Sequence, residues 1–190
     1  RIGIEFCNTP TDTFLMLQKL LPNAEFVDVL VLMQELRVIK TDHELELLKT
    51  ASTNITNSME KVMKSAKPGS STKSIAQSLK EEETSLGMNF EYCLIAAGTS
   101  YNRTPSEKLF WNEGDILSLD SGANLDGYLG DLCRMAVMGE PTELMKDLLS
   151  QVRAINDAPR KVIRAGITGN DILEAANKEL SKCDSSRDFK

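Results

Sequence analysis

The chain has 190 residues, 41% hydrophobic and 26% charged, a balance that fits a soluble globular protein of one ordinary domain or slightly more. A formal net charge of −6 argues against nucleic acid or an anionic membrane as partner, because both call for a basic face. No apolar run approaches the ~20 residues that a membrane-spanning helix needs.

In chain order, Ile2 to Phe6 alternates as a short strand, and PTDTFLMLQKLLPN reads as a helix with Phe14, Leu17, Leu20 and Leu21 on one face. AEFVDVLVLM, from Ala24, reads as a second strand. The start, RIGIEF, has no signal-peptide profile and no initiator Met, so a trimmed N-terminus is expected. A boundary falls near Arg37 to Lys40. Thr41 then opens a long helix through a capping box with Glu44, and the stripe Leu45, Leu48, Ser52, Ile55, Met59, Val62 and Met63 is expected to be buried. His43, in the first turn, is read as a solvated residue. Pro68-Gly69 breaks this helix, and Ser71 or Thr72 caps another that runs to about Leu86 and stops at Gly87. Within it, the charge run Lys80 to Glu83 reads as a solvated face.

EYCLIAAG forms an apolar strand, followed by a polar loop from Thr99 to Lys108. Tyr101, Phe110 and Trp111 flank that loop and fit packing better than a pocket lining. Beyond a hairpin described next, Pro141-Thr142 opens a helix from about Glu143 to Arg164, interrupted or bent near Pro159, and Thr168 to Asp171 start a last helix to about Leu180. The tail CDSSRDFK is polar and expected to fray. The cysteines Cys7, Cys93, Cys133 and Cys183 form no C-x-x-C pair. They read as buried reduced thiols of a cytoplasmic protein. No internal repeat is visible. The order of elements indicates an α+β fold.

The chemistry concentrates between Gly114 and Pro141, in GDILSLDSGANLDGYLGDLCRMAVMGEP. Asp126-Gly127 between alternating apolar residues is a strong hairpin signal. A fold-back near Leu125 and Asp126 would set Asp120 and Asp131 roughly opposite each other. Two ionised carboxylates so close repel unless a cation lies between them, and paired carboxylates suit two-metal hydrolytic sites. The plain alternative is that acidic residues near a turn simply face water.

The pattern of Gly114, Asp115, Asp120, Gly122, Gly127, Tyr128, Asp131 and Arg134 resembles the signature of the pita-bread metallohydrolases, a family that includes methionine aminopeptidase, Xaa-Pro aminopeptidase, prolidase and the non-metal enzyme creatinase. LRVIKTDHELELLKTA, from Leu36 to Ala51, is similar to the start of the catalytic domain in the Xaa-Pro branch, and KPGSSTKSIAQSL fits the turn and second helix. The resemblance implies the first half of a pita-bread fold over residues 41–190. Residues 1–37 would then be the C-terminal remnant of a creatinase-type α/β N-terminal domain, and the chain would be cut short at both ends. It implies Asp120 and Asp131 as the first two metal ligands of a centre holding two divalent ions. Hard oxygen donors favour Mn²⁺ there, with Co²⁺ or Zn²⁺ as alternatives.

Two departures stand beside the match. The His that precedes the first metal-binding Asp in this family is replaced, after Pro105, by Ser106, and a hydroxyl does not carry protons near neutral pH as imidazole does. The remaining His and Glu ligands of the family come later than Lys190. The implied function is a metallopeptidase that cleaves the N-terminal peptide bond before proline, expected to be inactive as this partial chain, with a peptide carrying proline in second position as substrate and a homodimer as the assembly. A non-catalytic pita-bread binding module is the first alternative, and a creatinase-like C–N hydrolase is the second.

Overall fold

The computed structural model describes residues 1–183; the expectation for the tail falls mostly on residues outside that range. The elements are β1 (Ile2–Ile4), a 3-10 turn (Phe6–Asn8), α1 (Thr11–Leu20), β2 (Phe26–Asp28), α2 (Leu30–Val38), α3 (Asp42–Ser65), β3 (Ser70–Ser71), α4 (Thr72–Ser85), β4 (Asn89–Ala97), β5 (Phe110–Trp111), β6 (Ile116–Leu125), β7 (Tyr128–Val137), α5 (Glu143–Val162) and α6 (Gly169–Leu180). Strands β4, β6 and β7 form one sheet in the order β4-β6-β7, the frame that carries the acidic hairpin.

The chain divides into two compact units. The first takes Arg1–Val62, Ser78–Tyr92 and Asp120–Leu132. It begins with a βαβ arrangement, in which α1 is the crossover that lets β1 and β2 pair in parallel, Ile2 with Phe26 and Ile4 with Asp28. The rings of Phe6, Phe14 and Phe26 meet edge to face at 5.4 and 5.7 Å. The strand expected to run on from Ala24 ends at Asp28, because β1 has no further residues to pair with. Asp28 Oδ1 instead accepts the Leu30 N–H at 3.0 Å, and the chain enters α2. Helix α3 starts as its capping box requires. The Glu44 carboxylate accepts the Thr41 N–H at 2.6 Å, and Thr41 Oγ1 accepts the Glu44 N–H at 3.3 Å. Its buried face is Ala51, Ile55, Ser58, Met59 and Val62. Leu45, expected on that stripe, is 52% exposed, and at Ala51 and Ser52 it is the helix backbone itself that lies against Gly130.

The second unit comprises Met63–Gln77, Cys93–Leu119 and the chain from Cys133 onward. Ser71 Oγ accepts the Ser74 N–H at 3.1 Å and caps α4, and β3 pairs antiparallel with β5, Ser70 opposite Trp111. Trp111 is buried and its Nε1–H donates to the Asp115 carbonyl at 2.9 Å, so the packing role expected for this aromatic holds; Tyr101 is fully exposed. Helices α5 and α6 pack on each other, and Thr168 and Asp171 form the capping box of α6. All four cysteines are free thiols. The expectation of buried thiols holds only for Cys93, since Cys7 and Cys133 are exposed and Cys183 is half-buried.

Candidate metal centre

Both carboxylates expected at the site stand on the β6–β7 hairpin. Asp126 (φ 50°) and Gly127 (φ 92°) both take positive φ, the requirement of the two-residue hairpin turn whose twist matches the strands it joins. Asn124 Oδ1 accepts the Gly127 N–H at 2.8 Å and closes the turn. The turn sets Leu125 opposite Tyr128. At the far end Met138 N–H donates to the Asp115 carbonyl at 3.0 Å, so the register survives along both strands.

In this register Asp131 stands opposite Gly122, and Asp120 lies two residues farther from the turn, on the same face. The carboxylates are therefore diagonal neighbours and not directly opposite. The fold-back lies between Asp126 and Gly127, slightly past the point assumed from the sequence. Diagonal neighbours remain within reach of one another, with Cα atoms about 7–8 Å apart and Cβ atoms somewhat closer. Leu117, Leu119, Ser121 and Ala123 occupy the other face of β6 and are buried. Asp120 is half-buried and Asp131 exposed, so the alternation of the strand separates core from chemistry.

Tyr92, on β4, completes this arrangement and was not singled out from the sequence, where it reads as one more residue of an apolar strand. Its hydroxyl donates to Asp131 Oδ1 at 2.6 Å. Its ring lies over Gly122, where any Cβ would fall on the ring atom Cε1. A glycine opposite Asp131 is thus what lets a tyrosine cross the strand and reach the carboxylate. Tyr128, at the turn, donates its hydroxyl to Glu44 Oε1 at 2.8 Å. The Thr41 N–H, and after it the Tyr128 hydroxyl, hold the Glu44 carboxyl below its ordinary range, and the Glu44 carboxylate raises the Tyr128 phenol.

Ser106 is an anchor of its loop. Its carbonyl accepts the Lys73 N–H at 3.1 Å, its N–H donates to Thr72 Oγ1 at 2.9 Å, and its Oγ accepts the Lys108 N–H at 3.1 Å. His43 is exposed in the first turn of α3. Hard carboxylate oxygens on one face suit a divalent cation. Among the described residues no group of three His, Cys, Asp or Glu gathers to hold a metal, so Asp120 and Asp131 fit as two ligands and not as a complete set.

Residues 46–189 match metallopeptidase family M24. The chain belongs to metallopeptidase family M24. An uncharacterized peptidase of Bacillus subtilis, YqhT, is 27% identical over 176 residues, which is 90% of the M24 chain and 50% of the relative. Methionine aminopeptidases are also among its relatives. The solved structure of an X-Pro aminopeptidase from Thermotoga maritima superposes with a TM-score of 0.86 at 20% identity, covering 95% of the M24 chain and 53% of the other. An Xaa-Pro dipeptidase from Bacillus anthracis superposes at 0.83 with 25% identity, covering 96% and 52%. The fold is therefore part of a pita-bread domain, and the M24 chain spans about half the length of these proteins. Enzymes of this family depend on a dinuclear metal centre.

Proposed function

We propose that this chain carries part of the metal site of a peptidase of the Xaa-Pro aminopeptidase or prolidase type, which hydrolyses the N-terminal peptide bond before proline. The observation that carries the reading is the placement of Asp120 and Asp131 on one hairpin face, with Asp131 held by the Tyr92 hydroxyl. The likeness to the Bacillus anthracis Xaa-Pro dipeptidase supports the substrate class. A homodimer in the cytoplasm, acting on peptides with proline in second position, belongs to the same proposal.

Bound divalent ions, Mn²⁺ on the argument of hard oxygen donors, would supply Lewis-acid activation of water and of the scissile carbonyl. What the chain itself contributes is charge and orientation. Asp120 and Asp131 bring two negative groups to one face. The Tyr92 hydroxyl selects one orientation of the Asp131 carboxylate, and a charge-assisted bond of this kind is stronger than a neutral one. Gly122 keeps space for the Tyr92 ring.

Ser106 in the position where the family has a His favours a second reading, a binding module that keeps the scaffold without proton-transfer chemistry. Calorimetric titration of Mn²⁺ into the native chain and into Asp120→Asn and Asp131→Asn tests the metal reading. The expected result is binding that each substitution weakens at least about tenfold, since each removes one charged ligand. Equal binding in all three chains overturns it. Turnover of an Xaa-Pro dipeptide by Mn²⁺-loaded protein separates the peptidase from the binding module.

A further inference from the structure

Helix α4 carries three consecutive glutamates, Glu81, Glu82 and Glu83, and two of them have opposite fates. Glu82 reaches Lys61 of α3 at 2.5 Å in a pair whose lysine is 67% exposed. Glu83 falls on the stripe of Ala76 and Leu79 and is wholly buried. Facing it is Ser121, whose Oγ stands 3.3 Å from Glu83 Oε2 and 2.9 Å from the Tyr92 carbonyl oxygen.

A serine hydroxyl has one hydrogen. Spent on the Tyr92 carbonyl, the shorter contact, it leaves nothing to donate to Glu83. An ionised Glu83 would then set its carboxylate against the lone pairs of Ser121 with no water around it. A neutral Glu83 removes the conflict, its O–H donating to Ser121 Oγ while Ser121 donates to the Tyr92 carbonyl. The other oxygen, Oε1, is buried without a hydrogen-bond partner, a cost far larger for a carboxylate than for the carbonyl of a neutral acid.

We propose that Glu83 is a positioning residue, a neutral acid whose hydrogen bond to Ser121 Oγ locks the Asp120–Gly122 segment of β6 against Tyr92. Ser121 sits between Asp120 and the glycine on which the Tyr92 ring rests, and the hydroxyl of that ring holds Asp131. Glu83 thus steadies both carboxylates without touching either; this functional weight rests on the metal-site reading above. Burial pushes the Glu83 carboxyl up to about 7, against the opposing pull of the Ser121 contact. Burial and the Ser121 contact are what act on this carboxyl, with no charged group of the described residues among them. Ser121 of β6 and Tyr92 of β4 are uncharged, Lys61 of α3 is paired with Glu82, Asp131 of β7 takes the Tyr92 hydroxyl, and Lys80 of α4 lies over the Phe90 ring at 5.8 Å.

The test is a carboxyl ¹³C NMR titration of the full chain, with amide exchange at residues 120–123 followed at each pH. It compares the native protein with Glu83→Gln, which keeps a donor and cannot ionise, and with Ser121→Ala, which removes the acceptor. One glutamate signal titrating near neutrality, absent from Glu83→Gln, is expected. Between about pH 6 and about pH 8, protection at 120–123 should fall roughly tenfold in the native chain relative to Glu83→Gln, the equivalent of losing one hydrogen bond. Ser121→Ala should have weak protection at both ends of that range. All glutamates titrating in the ordinary carboxylate range would overturn the proposal, and so would identical protection in the native chain and Glu83→Gln throughout. Neither readout involves metal, so a native chain that fails to bind Mn²⁺ would count against the peptidase reading and leave this result standing.

Discussion

The β6–β7 hairpin and the first fifty residues are both rich in apolar side chains, yet they are used in opposite ways. In β6, Leu117, Leu119 and Ala123 are fully buried, and every second residue looks away from the core. In residues 1–50 no side chain is fully buried, and Leu20, Val31, Leu32, Leu36 and Ile39 are between 63% and 84% exposed. Apolar composition therefore does not measure what a segment contributes to stability. The hairpin is braced on one face by the core and can hold charge on the other, whereas α2 presents Leu32 and Leu36 to the surface of the described chain.

The contrast predicts a graded set of effects. Leu119→Ala opens a cavity in the core face and should lower unfolding free energy by roughly 2–5 kcal/mol in urea denaturation. Leu36→Ala, on α2, should stay within about 0.5 kcal/mol in the same measurement. If the two changes had similar effects, α2 would be covered in solution and the comparison would fail.

Glu83 sharpens the same point from the acidic side. Its folded value of about 7 lies above the ordinary 4.5, so between those two pH values the folded chain keeps a proton that the unfolded chain has lost. The stability this proton brings is fully present below pH 4.5 and is lost as pH rises through about 7. Native protein should accordingly weaken relative to Glu83→Gln by an amount on the order of 3 kcal/mol across that interval, read as the difference between two denaturation series.

Next in size is Gly122→Ala. The added methyl displaces the Tyr92 ring, with an expected loss of about 1–3 kcal/mol from overpacking and with weaker Mn²⁺ binding through the freed Asp131. Tyr92→Phe spares the ring and removes only the hydroxyl, so it should reproduce the metal defect with the smaller stability loss, about 1 kcal/mol. Thr41→Ala should cost about 1 kcal/mol or less for an exposed cap, above only Leu36→Ala on the scale, detectable as fraying at the start of α3 by hydrogen exchange.

Several features could be read directly because their causes are local. Asp126-Gly127 specifies its turn through the φ values these residues tolerate, Thr41 and Glu44 satisfy each other's backbone donors, and Thr142 and Thr168 cap their helices as expected. The expectations that failed depended on neighbours distant in sequence. Val29 to Met33 could have continued a strand, but β1 is too short to pair with it. Leu45 has the spacing of the buried stripe, yet α3 is buried only from the turn that includes Ala51 onward. Glu83 looked like part of a solvated charge run. A turn of 100° per residue instead aligns it with Leu79, while the adjacent Glu82 points out to Lys61.

By itself, then, the sequence determined the turn chemistry, the caps, the alternation that puts Asp120 and Asp131 on one face, and the resemblance that the M24 match supports. These follow from dihedral preferences and from short-range periodicity, which any stretch of chain carries with it. The tertiary structure alone decided the two-residue offset of the two carboxylates, the arrival of the Tyr92 hydroxyl at Asp131 and the burial of Glu83 against Ser121. Each of these joins residues some ten to forty positions apart, and only packing brings such residues within the range of a hydrogen bond.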